Sequence, residues 1–306
     1  MKNKILTGLL LVLIGGWGSL SAQSAGSNYA RQVNTLIGTK GVGLTSGYLY
    51  PGATYPYGMV QFTPSYFSKR SGFVINQLSG GGCGHMGNFP TFPVKGKLKM
   101  SPDNILNYRI NISEEKGHAG YYEAKVQEDI HAKLTVTERT GMASYEYPAD
   151  QQYGTVIIGG GISATPIEQA AIVITAPNKC EGYAEGGNFC GLRTPYKVYF
   201  VAEFDADALE SGTWKRDELK PNTTFAEGEY SGVYFTFDVN KKKNIQYKIG
   251  VSYVSVENAR ENLKAENTGW DFLQIQNQAE SKWNHYLGKI EVEGTNPDRA
   301  TQFYTH

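Results

Sequence analysis

Residues Ile130 to Glu138 alternate strictly: Ile130, Ala132, Leu134 and Val136 fall on one side of an extended chain, and His131, Lys133, Thr135 and Thr137 on the other. A side-chain period of two belongs to a strand with one buried and one wet face. The same reading applies to Tyr145–Tyr147, Thr155–Ile158, Ala171–Thr175, Tyr196–Phe204, Tyr230–Val239 and Tyr247–Val256. Turn-forming runs, among them Pro148-Ala-Asp150, Asn178-Lys-Cys-Glu-Gly182 and Gly186-Gly187, separate them. Strands at this density, with no helical stretch between them, predict an all-β fold, a large antiparallel β-sandwich. The 36 glycines and 21 tyrosines suit such a fold and exclude a helix-only one.

The pattern changes at residue 257. Glu257–Lys264 is rich in helix formers, and in Asp271–Leu287 the residues Phe272, Ile275, Ala279, Trp283 and Tyr286 recur at helical spacing. Asp271 is placed to cap that helix and Gly288 to end it. If Phe272, Trp283 and Tyr286 stood unpartnered, they would mark a missing neighbour. Lys289–Glu293 reads as a short extended piece, and Asn296–His306 begins a helix without a stop signal, as expected of the front portion of a longer protein. At the other end, Lys2 and Lys4 precede an apolar run, Ile5–Leu13, with small residues at Ser21-Ala22. That is a cleavable export signal, too short and too glycine-interrupted for a bilayer span. The expected division is a signal peptide at 1–22, a sandwich domain at 23–256, a helical linker at 257–288 and the start of a further domain at 289–306. Secretion or a periplasmic location follows, with no membrane span. The 29 basic and 29 acidic residues balance, which argues against a nucleic-acid partner.

Two glycine-bearing loops are candidate ligand contacts. Gly82-Cys-Gly-His-Met-Gly87 matches GxGxxG, but Asn88-Phe-Pro-Thr-Phe-Pro93 follows, and its two prolines forbid the helix that a dinucleotide site needs. The run is better read as a loop approached closely by a ligand or another domain, with Cys83, His85 and Asn88 as candidates, or as a surface turn. In Gly186-Gly-Asn-Phe-Cys-Gly191, Phe189 could stack under a sugar ring with Asn188 bonding to hydroxyls, or Phe189 could plug a hairpin. No histidine spacing indicates a metal. Export permits a disulfide, and Cys180 with Cys190 could close a ten-residue hairpin; buried free thiols are the alternative.

Several segments, taken in order, resemble the N-terminal domain of glycoside hydrolase family 92. They are Val33-Asn-Thr-Leu-Ile-Gly-Thr39, Pro51-Gly-Ala-Thr-Tyr-Pro-Tyr-Gly-Met-Val-Gln61, Leu78-Ser-Gly-Gly-Gly-Cys-Gly84 with Gly87-Asn88, Gly120-Tyr-Tyr122, Thr137-Glu-Arg-Thr-Gly141 and Tyr196–Phe204. Gly269-Trp-Asp271, Trp283-Asn284 and Phe303-Tyr-Thr305 resemble the family's linker helices and the entry to its catalytic domain. The resemblance implies a galactose-mutarotase-like supersandwich joined to an (α/α)6 barrel, and exo-acting, inverting, calcium-dependent α-mannosidase activity. It also implies that the acid, the base and the Ca2+ site lie in the barrel, beyond residue 306, while sandwich loops form the rim of the pocket. The Gly80–Asn88 and Gly187–Gly191 loops are expected there. Phe73-Val-Ile-Asn-Gln77 departs from the histidine-containing stretch of many members, and the preceding loop, Phe67–Ser71, is shortened and lacks tryptophan. The competing readings are a stand-alone carbohydrate-binding sandwich and an exported structural protein.

Overall fold

The computed structural model describes residues 28–39, 49–65, 72–78, 86–102, 111–163, 165–189, 191–293 and 296–306; the export signal, Cys83, His85 and Cys190 lie outside them. The alternation at residues 130–138 forms β7 (Ile130–Val136), with Ile130, Ala132, Leu134 and Val136 fully buried. Before it run β1 (Ala53–Thr54), β2 (Gln61–Pro64), β3 (Phe73–Val74), β4 (Thr91–Lys95), β5 (Ile112–His118) and β6 (Tyr121–Val126). After it come β8 (Thr140–Glu146), β9 (Tyr153–Gly159), β10 (Ile167–Ala176), β11 (Lys179–Phe189), β12 (Leu192–Phe204) and β13 (Glu210–Lys215). The last are β14 (Glu218–Pro221), β15 (Phe225–Glu227), β16 (Ser231–Asp238) and β17 (Asn244–Ser252).

These strands form two sheets. One has eight strands in the order β1-β2-β3-β4-β9-β16-β13-β14, the other nine in the order β15-β10-β11-β12-β17-β8-β7-β6-β5. Aromatic rings join them. Phe204 of the larger sheet lies 4.9 Å from Phe235 and 5.1 Å from Phe237 of the smaller, and Phe62 meets Tyr247 at 6.4 Å. Each buried ring contributes roughly 1.5–3 kcal/mol by leaving water. Trp214 lies across the neighbouring strand, where a Cβ on Gly232 would come within 2.2 Å of its ring. Only glycine fits there.

The sequence reading and the structure differ in five places. Gly186-Gly187 is not a turn: it sits inside β11, where the register with β12 shifts, so the glycines mark a bulge. A Cβ on Gly187 would meet Thr194 O at 2.2 Å. Only Asn178 of the run to Gly182 is in a turn; Cys180 is already in β11, paired with Ala202. Cys180 is therefore a free, buried thiol at the far end of a strand from the hairpin tip. Burial pushes that thiol's pKa well up. The run Tyr247–Val256 overshoots, because Ser255 caps a helix and the strand ends at Ser252. Lys289–Glu293 is not extended into a strand, and Ile290 O accepts from Tyr304 Oη instead.

Three helices follow: α1 (Val256–Glu266), α2 (Phe272–Leu287) and α3 (Pro297–Thr305). Asp271 caps α2 through a bond from Gln274 N to its Oδ1. Gly288 ends α2 without a left-handed φ; a Cβ there would come within 2.9 Å of the Tyr29 ring. Phe272, Trp283 and Tyr286 are partnered. Trp283 Nε1 donates to Thr54 O at 2.7 Å, Phe272 meets Tyr121 edge-on, and Tyr286 meets Tyr57. They are no sign of a missing neighbour.

Two clamps, the second of them buried, hold the helices to the sandwich. Glu266, at the end of α1, accepts from Thr137 Oγ1 at 2.5 Å, from Arg139 N at 2.8 Å and from Arg139 Nε. The Thr137–Gly141 motif is thus a docking turn for α1. Beside it, Lys248 Nζ donates to Asn267 O at 3.0 Å and lies 4.4 Å over the Trp270 ring. In α2, Glu280 is 4% exposed and accepts from Asn28 Nδ2, Arg31 Nε and Gln276 Nε2, with His118 Nε2 at 3.5 Å. Burial raises the Glu280 pKa, but these donors outweigh it and hold the carboxyl below its ordinary value. Burial lowers the His118 pKa more than Glu280 raises it.

Both shifts are depressions, so both groups stabilise the fold above their unfolded pKa values and lose that contribution on acidification. Stability should fall first as pH drops below about 6.5, where unfolded histidine charges, and again near the carboxylate range. Urea denaturation against pH reads this. Glu280→Gln should cost about 1–3 kcal/mol at pH 7 and flatten the lower step.

Candidate functional site

Asn76, just after β3, organises the chain around the first glycine loop. Its Oδ1 accepts from Asn88 N at 2.7 Å and from Gly87 N at 3.2 Å; its Nδ2 donates to Asn88 Oδ1 at 3.0 Å and to Tyr253 Oη at 3.3 Å. The Asn76 amide therefore ties the residues before the loop to those after it. Met86 and Phe89 hold left-handed φ values of 54° and 53°, and Gly87 one of 86°. Such backbone costs energy and persists where surroundings over-determine it. Here the Asn76 bonds and the buried Phe89 ring, 4.2 Å from Phe200, supply that determination.

The network continues to the second loop. Tyr196 Oη donates to Asn88 Oδ1 at 2.9 Å and lies 3.1 Å from Thr165 Oγ1, while Ser163 Oγ donates to Met86 O at 3.0 Å. The Tyr196 ring is stacked on Phe189, with centroids 5.6 Å apart and planes inclined by 26°. One tyrosine thus joins Asn88 to Phe189. Tyr253 Oη donates to Met86 Sδ at 3.6 Å, and burial raises its phenol pKa, keeping it a protonated donor at neutral pH.

Asn88 is fully buried, so it supports the loop rather than facing solvent. Asn188 is exposed, but its Oδ1 accepts from Gly191 N at 3.1 Å and closes the hairpin. Phe189 is half-buried at the hairpin tip. Asn76, Tyr196, Tyr253, Ser163 and Thr165 are the members that sequence reasoning did not single out. The strand pattern around Tyr196 was visible, but nothing local shows that its hydroxyl reaches a residue 108 positions away.

The network is neutral throughout: amides, hydroxyls, a thioether and rings. It can position loops and recognise a hydroxylated, uncharged ligand, but it supplies no acid, base or nucleophile. Among the described residues no group of three or more His, Cys, Asp and Glu side chains converges as a metal site.

Among the described residues three buried amides are incompletely paired: Gln77 at both amide atoms, Asn88 at Nδ2 and, away from the loop, Asn267 at Oδ1. An unpaired buried amide costs about 1–3 kcal/mol, and an apolar residue of similar shape removes that cost. Gln77→Leu should accordingly raise the melting temperature. Asn76→Ala should lower stability by about 2–3 kcal/mol, because it orphans two backbone N–H groups. Calorimetry on both variants checks the contrast.

Comparison with known proteins follows the same architecture. The model of the glycosyl hydrolase family 92 N-terminal domain matches residues 32–252, and that of the family's catalytic domain matches residues 258–306. An uncharacterized secreted glycosidase of Arthroderma benhamiae is 26% identical over 302 residues, covering 86% of this chain and 38% of its own. An inverting family 92 mannosidase of Bacteroides thetaiotaomicron superposes with a TM-score of 0.79 at 25% identity, over 90% of this chain and 38% of that one. A family 92 α-mannosidase of the same organism, also solved with mannoimidazole, gives 0.79 at 24% identity and shares the fold. It is covered over 40% of its length, against 91% of this chain. The chain thus spans about 40% of the length of these relatives. With the N-terminal domain model matched across residues 32–252, the chain belongs to glycosyl hydrolase family 92.

Proposed function

We propose that the chain is the N-terminal part of an exported α-mannosidase that removes terminal α-mannosyl residues, such as α-1,2-linked ones, with inversion. Residues 1–22 serve as the cleaved export signal, delivering the protein to the periplasm or beyond. Residues 23–256 form the sandwich domain, 257–288 the helical linker and 289–306 the entry to the catalytic domain. The activity is supported by the names of the Bacteroides relatives and by the match of residues 258–306 to the family's catalytic domain. The general acid, the base and the calcium ion of the reaction belong to that catalytic domain.

The role of the sandwich rests on one observation: Tyr196 links the Asn88 loop and the Phe189 hairpin through a neutral network. On this reading the two loops form one rim, with Asn188 and Phe189 on it and Asn88 buried beneath it; Cys83 and His85, outside the described residues, stay candidates for it by sequence. Phe189 presents an aromatic face to the C–H side of a pyranose, and Tyr196 holds that ring in place. Asn88 fixes the height of the first loop. The rim orients the sugar and excludes water; proton transfers occur on groups of the catalytic domain.

The test compares hydrolysis of α-mannosides by a form spanning the whole catalytic domain with that by residues 1–306 alone. The longer form should be active with inversion, and residues 1–306 inactive. Phe189→Ala in the longer form should lower kcat/KM by about tenfold, the loss of roughly one stacking contact, with an unchanged melting temperature. Unchanged kinetics in the folded variant would remove Phe189 from the rim. Micromolar affinity of residues 1–306 for mannosides would instead favour a stand-alone carbohydrate-binding module.

A further inference from the structure

Lys248 of β17 ends in a nearly closed space. The residue is 5% exposed, its Nζ lies 4.4 Å over the Trp270 ring, and it donates to the main-chain oxygen of Asn267 at 3.0 Å. Asn267, which caps the end of α1, is fully buried. The register of β12 with β17 sets Glu203 opposite Lys248, and a Glu203 carboxylate oxygen stands 3.6 Å from Nζ. An amine, a carboxamide and a carboxylate, brought from two strands and the end of a helix, thus line one cavity of about 180 Å3.

Hydrogen bonding fixes how the Asn267 carboxamide points. The Thr137 hydroxyl gives its proton to Glu266 at 2.5 Å, so the Thr140 hydroxyl gives its own to Thr137 at 2.7 Å. The Thr140 oxygen can then only accept, and Asn267 Nδ2 is the donor, 3.5 Å away. Oδ1 is left without a partner among the described residues, although it is buried. Such an orphan is uncommon in a settled interior. One long bond is all that holds this carboxamide, so it is free to turn toward the amine already anchored on the same residue. Burial is the largest influence on that amine and lowers its pKa by more than Glu203 raises it, which enlarges the neutral, nucleophilic share. Proximity of this kind replaces a bimolecular encounter by an intramolecular step.

We propose that Lys248 and Asn267 join in an isopeptide bond made by the folded chain itself, with Glu203 carrying the proton. Neutral Nζ adds to Asn267 Cγ, a proton passes from Nζ through the Glu203 carboxylate to Nδ2, the Cγ–Nδ2 bond breaks and ammonia leaves. One C–N bond replaces another, and nothing is oxidised or reduced. The link closes a loop around α1 and makes the attachment of that helix covalent. Like a disulfide it restricts the unfolded chain, but reductants do not open it.

The test is the intact mass of the purified 306-residue chain under denaturing, reducing conditions, with a peptide map. The mass should fall short of the sequence, less any cleaved export signal, by one ammonia, and one peptide should carry Lys248 joined to Asn267. Lys248→Met should restore the full mass. Where that buried change prevents folding, Glu203→Gln, whose side chain borders solvent, should fold and form the link about a hundredfold more slowly. Full mass with separate peptides in the folded, unsubstituted chain overturns the proposal. Loss of ammonia that persists in Lys248→Met places it at another residue and overturns it as well, as does an unchanged rate in Glu203→Gln.

Discussion

The two sheets hold together through aromatic rings that cross the space between them, and the segment after the first glycine loop takes its position from one such contact, Phe89 on Phe200. Phe204 touches Phe235, Phe237 and Tyr247, and Phe73 stacks on Tyr145 at 6.3 Å. Tyrosine brings a hydroxyl into this interior, which must be paired or paid for. Tyr147 Oη donates to Thr155 O at 3.1 Å, and Thr91 lies 3.3 Å from Tyr247 Oη. Tyr145 Oη and Trp214 Nε1 are left unpaired. The gain from burying whole rings exceeds the loss at one polar atom.

The same solution recurs beside the first glycine loop, where the buried Asn76 and Asn88 meet. Asn76, Asn88 and Tyr196 satisfy one another and the backbone of Gly87 and Asn88, and so fix a segment whose φ values are unfavourable on their own. Because the network carries no charge, its strength depends little on pH or salt. The charged clamps are elsewhere, at Glu266 and Glu280, where helices meet the sandwich. The neutral network at the glycine loop and the charged clamps of the helices are therefore chemically separate in this chain.

Much of the fold was visible in the sequence because strand alternation is a local signal: β7 and β12 stand where Ile130–Glu138 and Tyr196–Phe204 place them. Glycine was harder to read. Gly186-Gly187 looks like a turn, yet a bulge asks for the same freedom, and only the partner strand tells the two apart. The loop around Asn88 marks it as a candidate in the sequence, but its buried position depends on Asn76 and Tyr196. Tyr253 reaches Asn76 across 177 residues, a pairing no window along the chain contains. The left-handed φ of 60° at Tyr57 was equally hidden, since Tyr-Pro-Tyr-Gly places its glycine one position beyond the one that carries the positive φ.

Glu266 and Lys248 fasten the end of α1 to the larger sheet, while Glu280 and Trp283 fasten α2 to the helical turn at Tyr29–Gln32 and to β1. The helices after the sandwich are consequently a bracket, not a tether. A flexible connection would let an attached body sample many orientations, with its local concentration set by reach. A bracket fixes angle and distance at once, so whatever is mounted on it takes a single pose relative to the sandwich from the moment of folding.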